Sequence, residues 1–330
     1  MIVVMRSGAP KAQVDAVLKR IEADGQPVHV FHGEERIVIA VLGEEPSEEL
    51  REGLETLPGV EEVERTTKPY KLASREVHAD SSRVRVGSAT FGSGFVLGAG
   101  CGRVYPSAEL VSVALSAQGA GADVFWLGRT AGAELGRVLP LVADLRRQSR
   151  LPLLVEIWGP DEFDPLELYC DGFIVGPQHL HSYPLIRLAG RSRRPIVLCR
   201  GASTSVEEWL LVAEEVLKGG NFDVVLCEQG IRTYETSVRS TLDFSALPIV
   251  KRLSHLPVIA NPSLASGRRE VVSALALGAA GAGADGVLID VHPGSEDAPG
   301  AAAQAIGLAE FRSLAQRIGP LSAAVEQTRA

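Results

Sequence analysis

The spacing of hydrophobic positions divides the chain near residue 67. Before it, apolar runs at residues 2–5, 28–31, 36–42 and 59–65 predict four strands, and residues 11–23 and 47–57 carry apolar side chains at helical spacing. The residues between the second and third runs, His-Gly-Glu-Glu at 32–35, are typical of a hairpin turn. The order β-α-β-β-α-β predicts a ferredoxin-like unit over residues 1–66, either an effector-binding domain or a structural appendage.

Beyond a polar connector at residues 67–83, the pattern becomes eight short, almost continuous apolar runs separated by helical stretches. The runs lie at residues 95–98, 122–127, 151–157, 172–175, 195–198, 223–227, 256–260 and 286–291. Strands that are buried on both faces have this pattern, and eight of them alternating with helices predict a TIM (β/α)8 barrel over residues 84–330. An open doubly wound sheet is the alternative. However, the glycines at residues 98–102 lack the GxGxxG spacing of a dinucleotide-binding turn.

Polar side chains follow the ends of the predicted barrel strands. The carboxyl ends of barrel strands meet at one mouth, where the chemistry of this fold is found. We expect catalytic groups at Cys101, Glu156, His179, Cys199, Glu228 and Asp290, and substrate-binding groups at Trp126, Gln178, Arg200, Gln229, Arg232, Arg268 and His292. Any one of them alone could instead cap a helix or hold a loop, but together they predict a pocket for a small molecule.

Composition narrows the classes of function. The chain has 330 residues with 33 Lys and Arg against 41 Asp and Glu, so its net charge of −8 disfavours a nucleic-acid-binding surface. No apolar stretch approaches the roughly 20 residues of a spanning helix, so we expect no membrane partner. The four cysteines form no CxxC pair, which is typical of reduced thiols in a cytoplasmic protein.

Several motifs together resemble one enzyme family. They are residues 68–76 (KPYKLASRE), 198–201 (LCRG), 227–235 (CEQGIRTYE), 254–263 (SHLPVIANPS), 267–269 (GRR) and 291–293 (VHP). In order and spacing they resemble the 3-deoxy-D-arabino-heptulosonate 7-phosphate (DAHP) synthases that carry an N-terminal ferredoxin-like domain. The resemblance implies a TIM barrel, condensation of phosphoenolpyruvate with erythrose 4-phosphate, and a divalent metal.

The metal ligands that the resemblance implies are a Cys, a His, a Glu and an Asp. Cys101 matches the first of them, but Leu264 stands at the His and Asp290 at the Glu. The stretch at 299–304, where the Asp should fall, contains no carboxylate. Two donors are too few for a divalent metal, so we expect no metal and no cofactor unless His179 or His181 rebuilds a site.

The phosphate-binding cations that the resemblance implies are also replaced. Gln178, Cys199 and Gln229 stand where the family has Arg, Lys and Arg, and most of the loop after the second barrel strand is absent. Each lost cation removes a charge-assisted contact of about 1.5–3 kcal/mol. We therefore expect an enzyme that has been repurposed in specialised metabolism, with metal-independent chemistry on a carboxylate or neutral substrate.

Two alternatives stay open at this point. The chain could be a non-catalytic homologue that binds or regulates a partner enzyme, or it could be a DAHP synthase with an unusual site. The family resemblance also leads us to expect a homo-oligomer.

Overall fold

The computed structural model describes residues 1–32, 37–43, 46–64, 68–102, 107–128, 134–292 and 303–328. The chain forms two compact units: residues 1–81 with 253–255, and residues 82–252 with 256–330. Most of the predicted hairpin turn, residues 33–35, lies outside the described residues. Within the described part of the chain, no helix has the length and apolarity needed to span a membrane.

The first unit has the predicted ferredoxin-like order. Its elements are β1 (Ile2–Met5), α1 (Lys11–Ala23), β2 (Val28–His32), β3 (Ile37–Val41), α2 (Glu48–Glu55) and β4 (Val60–Glu64). The four strands form an antiparallel sheet in the order β2-β3-β1-β4. Helix α2 begins at Ser47, whose Oγ accepts a hydrogen bond from Leu50 N at 3.1 Å. The sheet and both helices bury a shared apolar core that includes Val3, Val17 and Leu50.

The second unit is the predicted closed barrel. Its strands are β7 (Val96–Cys101), β8 (Val124–Leu127), β9 (Leu153–Ile157), β10 (Gly172–Val175), β11 (Ile196–Cys199), β12 (Val224–Glu228), β13 (Val258–Ala260) and β14 (Gly286–Asp290). All eight neighbouring pairs are parallel, and β14 closes the ring against β7. The fold expected from the apolar runs is therefore confirmed.

Helices follow the barrel strands, as the alternating pattern predicted. They are α3 (Ser107–Gly119), α4 (Leu135–Gln148), α5 (Phe163–Glu167), α6 (Tyr183–Ala189), α7 (Val206–Lys218), α8 (Ala246–Leu253), α9 (Pro262–Ser266), α10 (Arg269–Gly281) and α11 (Leu308–Gln327). Two 3-10 turns lie at Pro160–Glu162 and Pro177–His179. Helix α9 is a single short helix at the end of β13, and Asn261 caps it by accepting from Leu264 N at 2.9 Å.

A hairpin of β5 (Val84–Val86) and β6 (Ala89–Phe91) closes the end of the barrel opposite the strand carboxyl ends. Its side chains Val84, Val86 and Phe91 belong to the same apolar cluster as the interior of the barrel. Its turn lies against the start of the strands, because a Cβ at Gly87 would sit 2.9 Å from Pro152. The opposite end is therefore the open one.

Candidate functional site

A cavity of about 360 Å³ opens at the carboxyl ends of the barrel strands. Five of the thirteen residues predicted for the site line it: Trp126, Glu156, Gln178, Arg200 and Gln229. They come from five different strands or the loops that follow them, so barrel closure brings together residues that are distant in sequence. The cavity is the candidate active site.

The indole of Trp126 forms an apolar wall of this cavity. It is almost fully buried, and its Nε1 donates to Ile289 O at 3.3 Å. The adjacent strand makes room for it with glycine, since a Cβ at Gly100 would sit 2.3 Å from Trp126 Cδ1. The ring is therefore fixed by packing and by one hydrogen bond.

One wall of the cavity carries hydrogen-bonded side chains, and amides stand at two of its positions where the family pattern has cations. Gln178 Nε2 donates to Glu156 Oε1 at 2.8 Å, and Gln229 Nε2 donates to Cys199 Sγ at 2.9 Å. Burial raises the pKa of Cys199 well above its ordinary value, and the neighbouring Cys227 thiol raises it further. Cys199 is consequently a protonated thiol at neutral pH, and this wall contributes one carboxylate and two amides.

Arg200 is bound by carboxylates rather than exposed to a ligand. Its guanidinium contacts Glu228 at 2.8 Å and Asp243 at 3.0 Å, and its Nε donates to Thr204 O at 2.9 Å. Burial raises the pKa of Glu228, while the contact with Arg200 opposes that effect. Since Glu228 also accepts from Gly230 N at 2.6 Å, this network ties together the ends of β11 and β12.

Cys101 and Asp290 lie together behind the cavity, outside its described lining. Burial raises the pKa of Cys101 well above its ordinary value, and the thiol donates to Val291 O at 3.8 Å. Burial also raises the pKa of Asp290 to about 7, and one of its carboxylate oxygens accepts from the Gln304 amide.

These groups do not fit a divalent metal. Leu264 packs against the apolar interior of the barrel where the family pattern has a histidine. Among the described residues, no three His, Cys, Asp or Glu side chains come close enough to one another to hold an ion. A protonated thiol and one carboxylate supply fewer donors than a divalent cation requires.

The remaining predicted residues take other positions. His179 contacts Trp158 edge to face at 5.3 Å between ring centroids. Arg268 binds the Glu270 carboxylate, and His292 Nε2 lies 3.2 Å from Glu109 Oε1. Those three, with Arg232 and the buried Cys199 and Glu228, lie outside the described lining. Their predicted roles stay predictions.

Twelve of the seventeen residues that line the cavity were not among the predicted site residues, and four of these twelve have polar side-chain atoms: Trp158, Arg239, Ser240 and Asn261. Asn261 follows β13 directly, so its position at a strand end was a usable signal. Arg239 lies in the loop between β12 and α8, which turns back on itself through paired backbone hydrogen bonds of 2.9 Å between Ile231 and Thr241. No local pattern showed that this loop returns to the mouth.

Comparison with known proteins gives the same family for both units. Residues 119–327 match the DAHP synthetase I family, and residues 1–68 match the DAHP synthase ferredoxin-like domain. The phospho-2-dehydro-3-deoxyheptonate aldolase of Thermotoga maritima is 33% identical over 98% of each chain. A 2-dehydro-3-deoxyphosphooctonate aldolase of Bradyrhizobium is 26% identical over 57% of this chain and 68% of its own.

Solved structures agree with these sequence matches. The crystal structure of the Thermotoga maritima aldolase (DAHP synthase) superposes with a TM-score of 0.75 at 32% identity, covering 98% of this chain and 97% of the other. A truncated form of that synthase covers 78% of this chain and 97% of its own, with a TM-score of 0.72.

The fold and the mouth cavity define a TIM-barrel protein with a candidate active site at the carboxyl ends of its strands. The chain belongs to the DAHP synthetase I family and carries that family's ferredoxin-like domain. The expectation of a repurposed enzyme for a carboxylate or neutral substrate is therefore wrong. Similarity to a DAHP synthase over nearly the whole of both chains favours the second of the two alternatives, a DAHP synthase with an unusual site.

Proposed function

We propose that this protein is a DAHP synthase, which condenses phosphoenolpyruvate with erythrose 4-phosphate. The observation that carries the proposal is the 33% identity to the Thermotoga maritima phospho-2-dehydro-3-deoxyheptonate aldolase over 98% of both chains. The ferredoxin-like domain supports this choice over the octulosonate aldolase of Bradyrhizobium, whose similarity extends over only 57% of this chain. The expected cytoplasmic location and homo-oligomeric state stay predictions.

The described side chains suggest how the cavity serves this reaction. Glu156 and its partner Gln178 offer hydrogen bonds to substrate hydroxyl and carbonyl groups, and Trp126 provides a fixed apolar surface that excludes water. The Arg200, Glu228 and Asp243 network keeps two strand ends in place. Positioning and a preorganised polar environment are the contributions that we assign to these residues.

The experiment is a turnover assay on the full-length protein with phosphoenolpyruvate and erythrose 4-phosphate. We expect consumption of phosphoenolpyruvate with formation of equal amounts of DAHP and inorganic phosphate. A five-carbon aldose phosphate is the matched acceptor control, and we expect it to react more slowly. Absence of DAHP with either fresh or metal-supplemented protein would contradict the proposal.

A Glu156→Gln variant tests the assignment of the cavity. It keeps the shape of the side chain and removes its charge, so folding should be unchanged while kcat falls by about tenfold or more. Gln118→Glu, an exposed amide on α3, is the control for a general effect of charge. Equal rates for wild type and Glu156→Gln would place the reaction elsewhere.

A further inference from the structure

Arg239 lines the cavity, and no carboxylate of the described residues forms an ion pair with it. Its guanidinium has no hydrogen-bond or ion-pair partner among the described residues, although its charge lowers the pKa of Asp290 against the larger effect of burial. The other arginine of the lining, Arg200, is held by two carboxylates and one carbonyl oxygen. In the described lining, Arg239 is thus the cation whose donors remain available to a ligand.

The position of Arg239 is fixed by its backbone and by a glycine. Arg239 N donates to Ser266 O at 3.0 Å, and Ser240 N donates to Ala265 O at 2.9 Å, so the loop is pinned to α9. The guanidinium lies against Gly267, where a Cβ would sit 3.1 Å from Nε, and the φ of +65° at Gly267 also favours glycine. The chain therefore leaves a space at residue 267 that the arginine occupies.

The surroundings of the guanidinium favour an anion. Helix α10 begins at Arg269, two residues after Gly267, and the N-terminus of a helix carries partial positive charge. Glu270 in its first turn binds Arg268 at 2.6 Å, so that carboxylate is already engaged. A guanidinium beside a helix N-terminus is electrostatically unfavourable unless an anion lies between them or close by.

Two neutral donors lie in the same lining. Ser240 contributes its hydroxyl, and Asn261 is fully buried with an Nδ2 that has no hydrogen-bond partner among the described residues. Its Oδ1 caps α9, which fixes the orientation of the amide. The Nδ2 donor therefore remains available to a ligand. An unsatisfied buried donor costs about 1–3 kcal/mol, which a ligand oxygen would recover.

We propose that Arg239, Ser240 and Asn261 form an anion subsite that binds the phosphate group of a substrate. The proposal rests on the proposed function, because both substrates of that reaction are phosphate esters. The planar fork of Arg239 binds two phosphate oxygens, and the hydroxyl and the amide donate to the remaining ones. The subsite supplies cationic binding that Gln178, Cys199 and Gln229 do not provide.

The test is an equilibrium titration followed by tryptophan fluorescence. Of the three tryptophans in the chain, Trp126 and Trp158 line the cavity, whereas Trp209 is buried with its Nε1 on Leu198 O. Inorganic phosphate, phosphoenolpyruvate and erythrose 4-phosphate are titrated separately, with pyruvate as the phosphate-free control. The variants are Arg239→Ala and Arg239→Lys, and Arg312→Ala on the exposed face of α11 is the matched control.

We expect Arg239→Ala to weaken binding of the phosphate ligands by about 10- to 100-fold, the loss typical of a charge-assisted contact. Arg239→Lys should recover part of the loss, and Arg312→Ala should bind as wild type does. The affinity that falls most shows whether phosphoenolpyruvate or erythrose 4-phosphate uses the subsite. The proposal would be overturned if Arg239→Ala left the affinities for the phosphate ligands unchanged. It would also be overturned if Arg232→Ala, and not Arg239→Ala, weakened phosphate binding by 10- to 100-fold.

Failure of the subsite and failure of the proposed function are distinguishable. Phosphate binding that depends on Arg239 without any DAHP formation would reject the function and keep the subsite. DAHP formation with unchanged KM values for both substrates in Arg239→Ala would keep the function and reject the subsite. Far-UV circular dichroism of each variant excludes misfolding as the cause of lost binding.

Discussion

Asn261 shows how much a single atom matters at the mouth of the barrel. Its side-chain amide is fully buried, and the Nδ2 has no hydrogen-bond partner among the described residues. Asn261→Asp should preserve the cap on α9 while placing a negative charge beside the cavity. Repulsion should weaken phosphate binding at pH 8 by roughly 10- to 100-fold. The fluorescence titration measures this effect, with Gln118→Glu as the charge control and an unchanged affinity as the contrary result.

Leu264 and Asp290 stand at the positions where the family resemblance implies a His and a Glu as metal ligands. In the variant Leu264→His/Asp290→Glu, an imidazole and a longer carboxylate join Cys101, which raises the number of donors to three. We expect this variant to bind about one equivalent of Mn²⁺ or Zn²⁺ in equilibrium dialysis and the wild type to bind far less than one.

The same equilibrium dialysis can also contradict the prediction that the wild type binds little metal. A full equivalent held tightly by the wild type would show that donors outside the described residues complete the site. A chelator should likewise leave the turnover of the wild type unchanged. A loss of activity with the chelator that added metal restores would contradict the prediction of a metal-free enzyme.

The sequence predicted which residues surround the cavity better than it predicted the reaction. Trp126, Glu156 and Gln178 could be placed at the mouth because each lies near or just beyond the carboxyl end of a barrel strand, and barrel closure makes these strand ends neighbours. Arg239 could not be placed in this way, because its position depends on a long loop and on the space at Gly267. The three replaced cations predicted the wrong function, because a cation on another loop can still bind a phosphate group.

At the scale of elements, the segment 253–255 belongs to the first unit, where it contacts residues 72–78. His255 Nε2 lies 2.7 Å from Leu72 O, and Arg75 N donates to Leu253 O at 3.0 Å. The ring of His78 packs on that of His255 at 4.5 Å between centroids. The pKa of His255 is lowered to about 4, mainly by burial and also by the charges of His78 and Arg75, while the hydrogen bond with Leu72 O opposes this effect.

This depressed pKa predicts a pH dependence of stability. Because the folded state favours neutral His255, its contribution is fully present above the ordinary pKa of 6.5 and is lost as the pH falls toward about 4. The shift corresponds to about 3 kcal/mol in the free energy of unfolding. Urea unfolding at pH 7 and pH 4 should show a smaller difference for His255→Gln than for wild type. The exposed His181→Gln is the control, and an equal difference in all three proteins would contradict the assignment.

The elements that the sequence predicted are those whose burial produces a regular pattern of apolar residues. Strands enclosed on both faces have to be continuous apolar runs, so the eight barrel strands were recognisable. The β5–β6 hairpin, which lies between the connector and the first predicted barrel strand, was not among the predicted strands. Its strands have only three residues each, and only one face is apolar. Its role as the floor of the barrel depends on contacts such as that of Gly87 with Pro152, which short-range patterns do not show.

At the scale of the whole molecule, the two units have separate cores. The apolar cluster of the first unit draws on residues 1–63, and that of the barrel on residues 84–288. All described residues that line the mouth cavity lie between Gly102 and Leu288, within the barrel unit. The described lining of the candidate site therefore belongs to the barrel unit.

The fragment of residues 82–330 should consequently fold and bind phosphate ligands. The truncated Thermotoga maritima synthase, which matches 78% of this chain at a TM-score of 0.72, supports the expectation of a stable barrel. Affinities for phosphoenolpyruvate and inorganic phosphate should stay within about twofold of the full-length values, because no described lining residue is removed.

The midpoint of urea unfolding of the fragment should fall, since residues 253–255 lose their partners in the first unit. All three tryptophans remain in the fragment, so the same titration reports binding, and a folded fragment that does not bind phosphate would show that the first unit shapes the cavity.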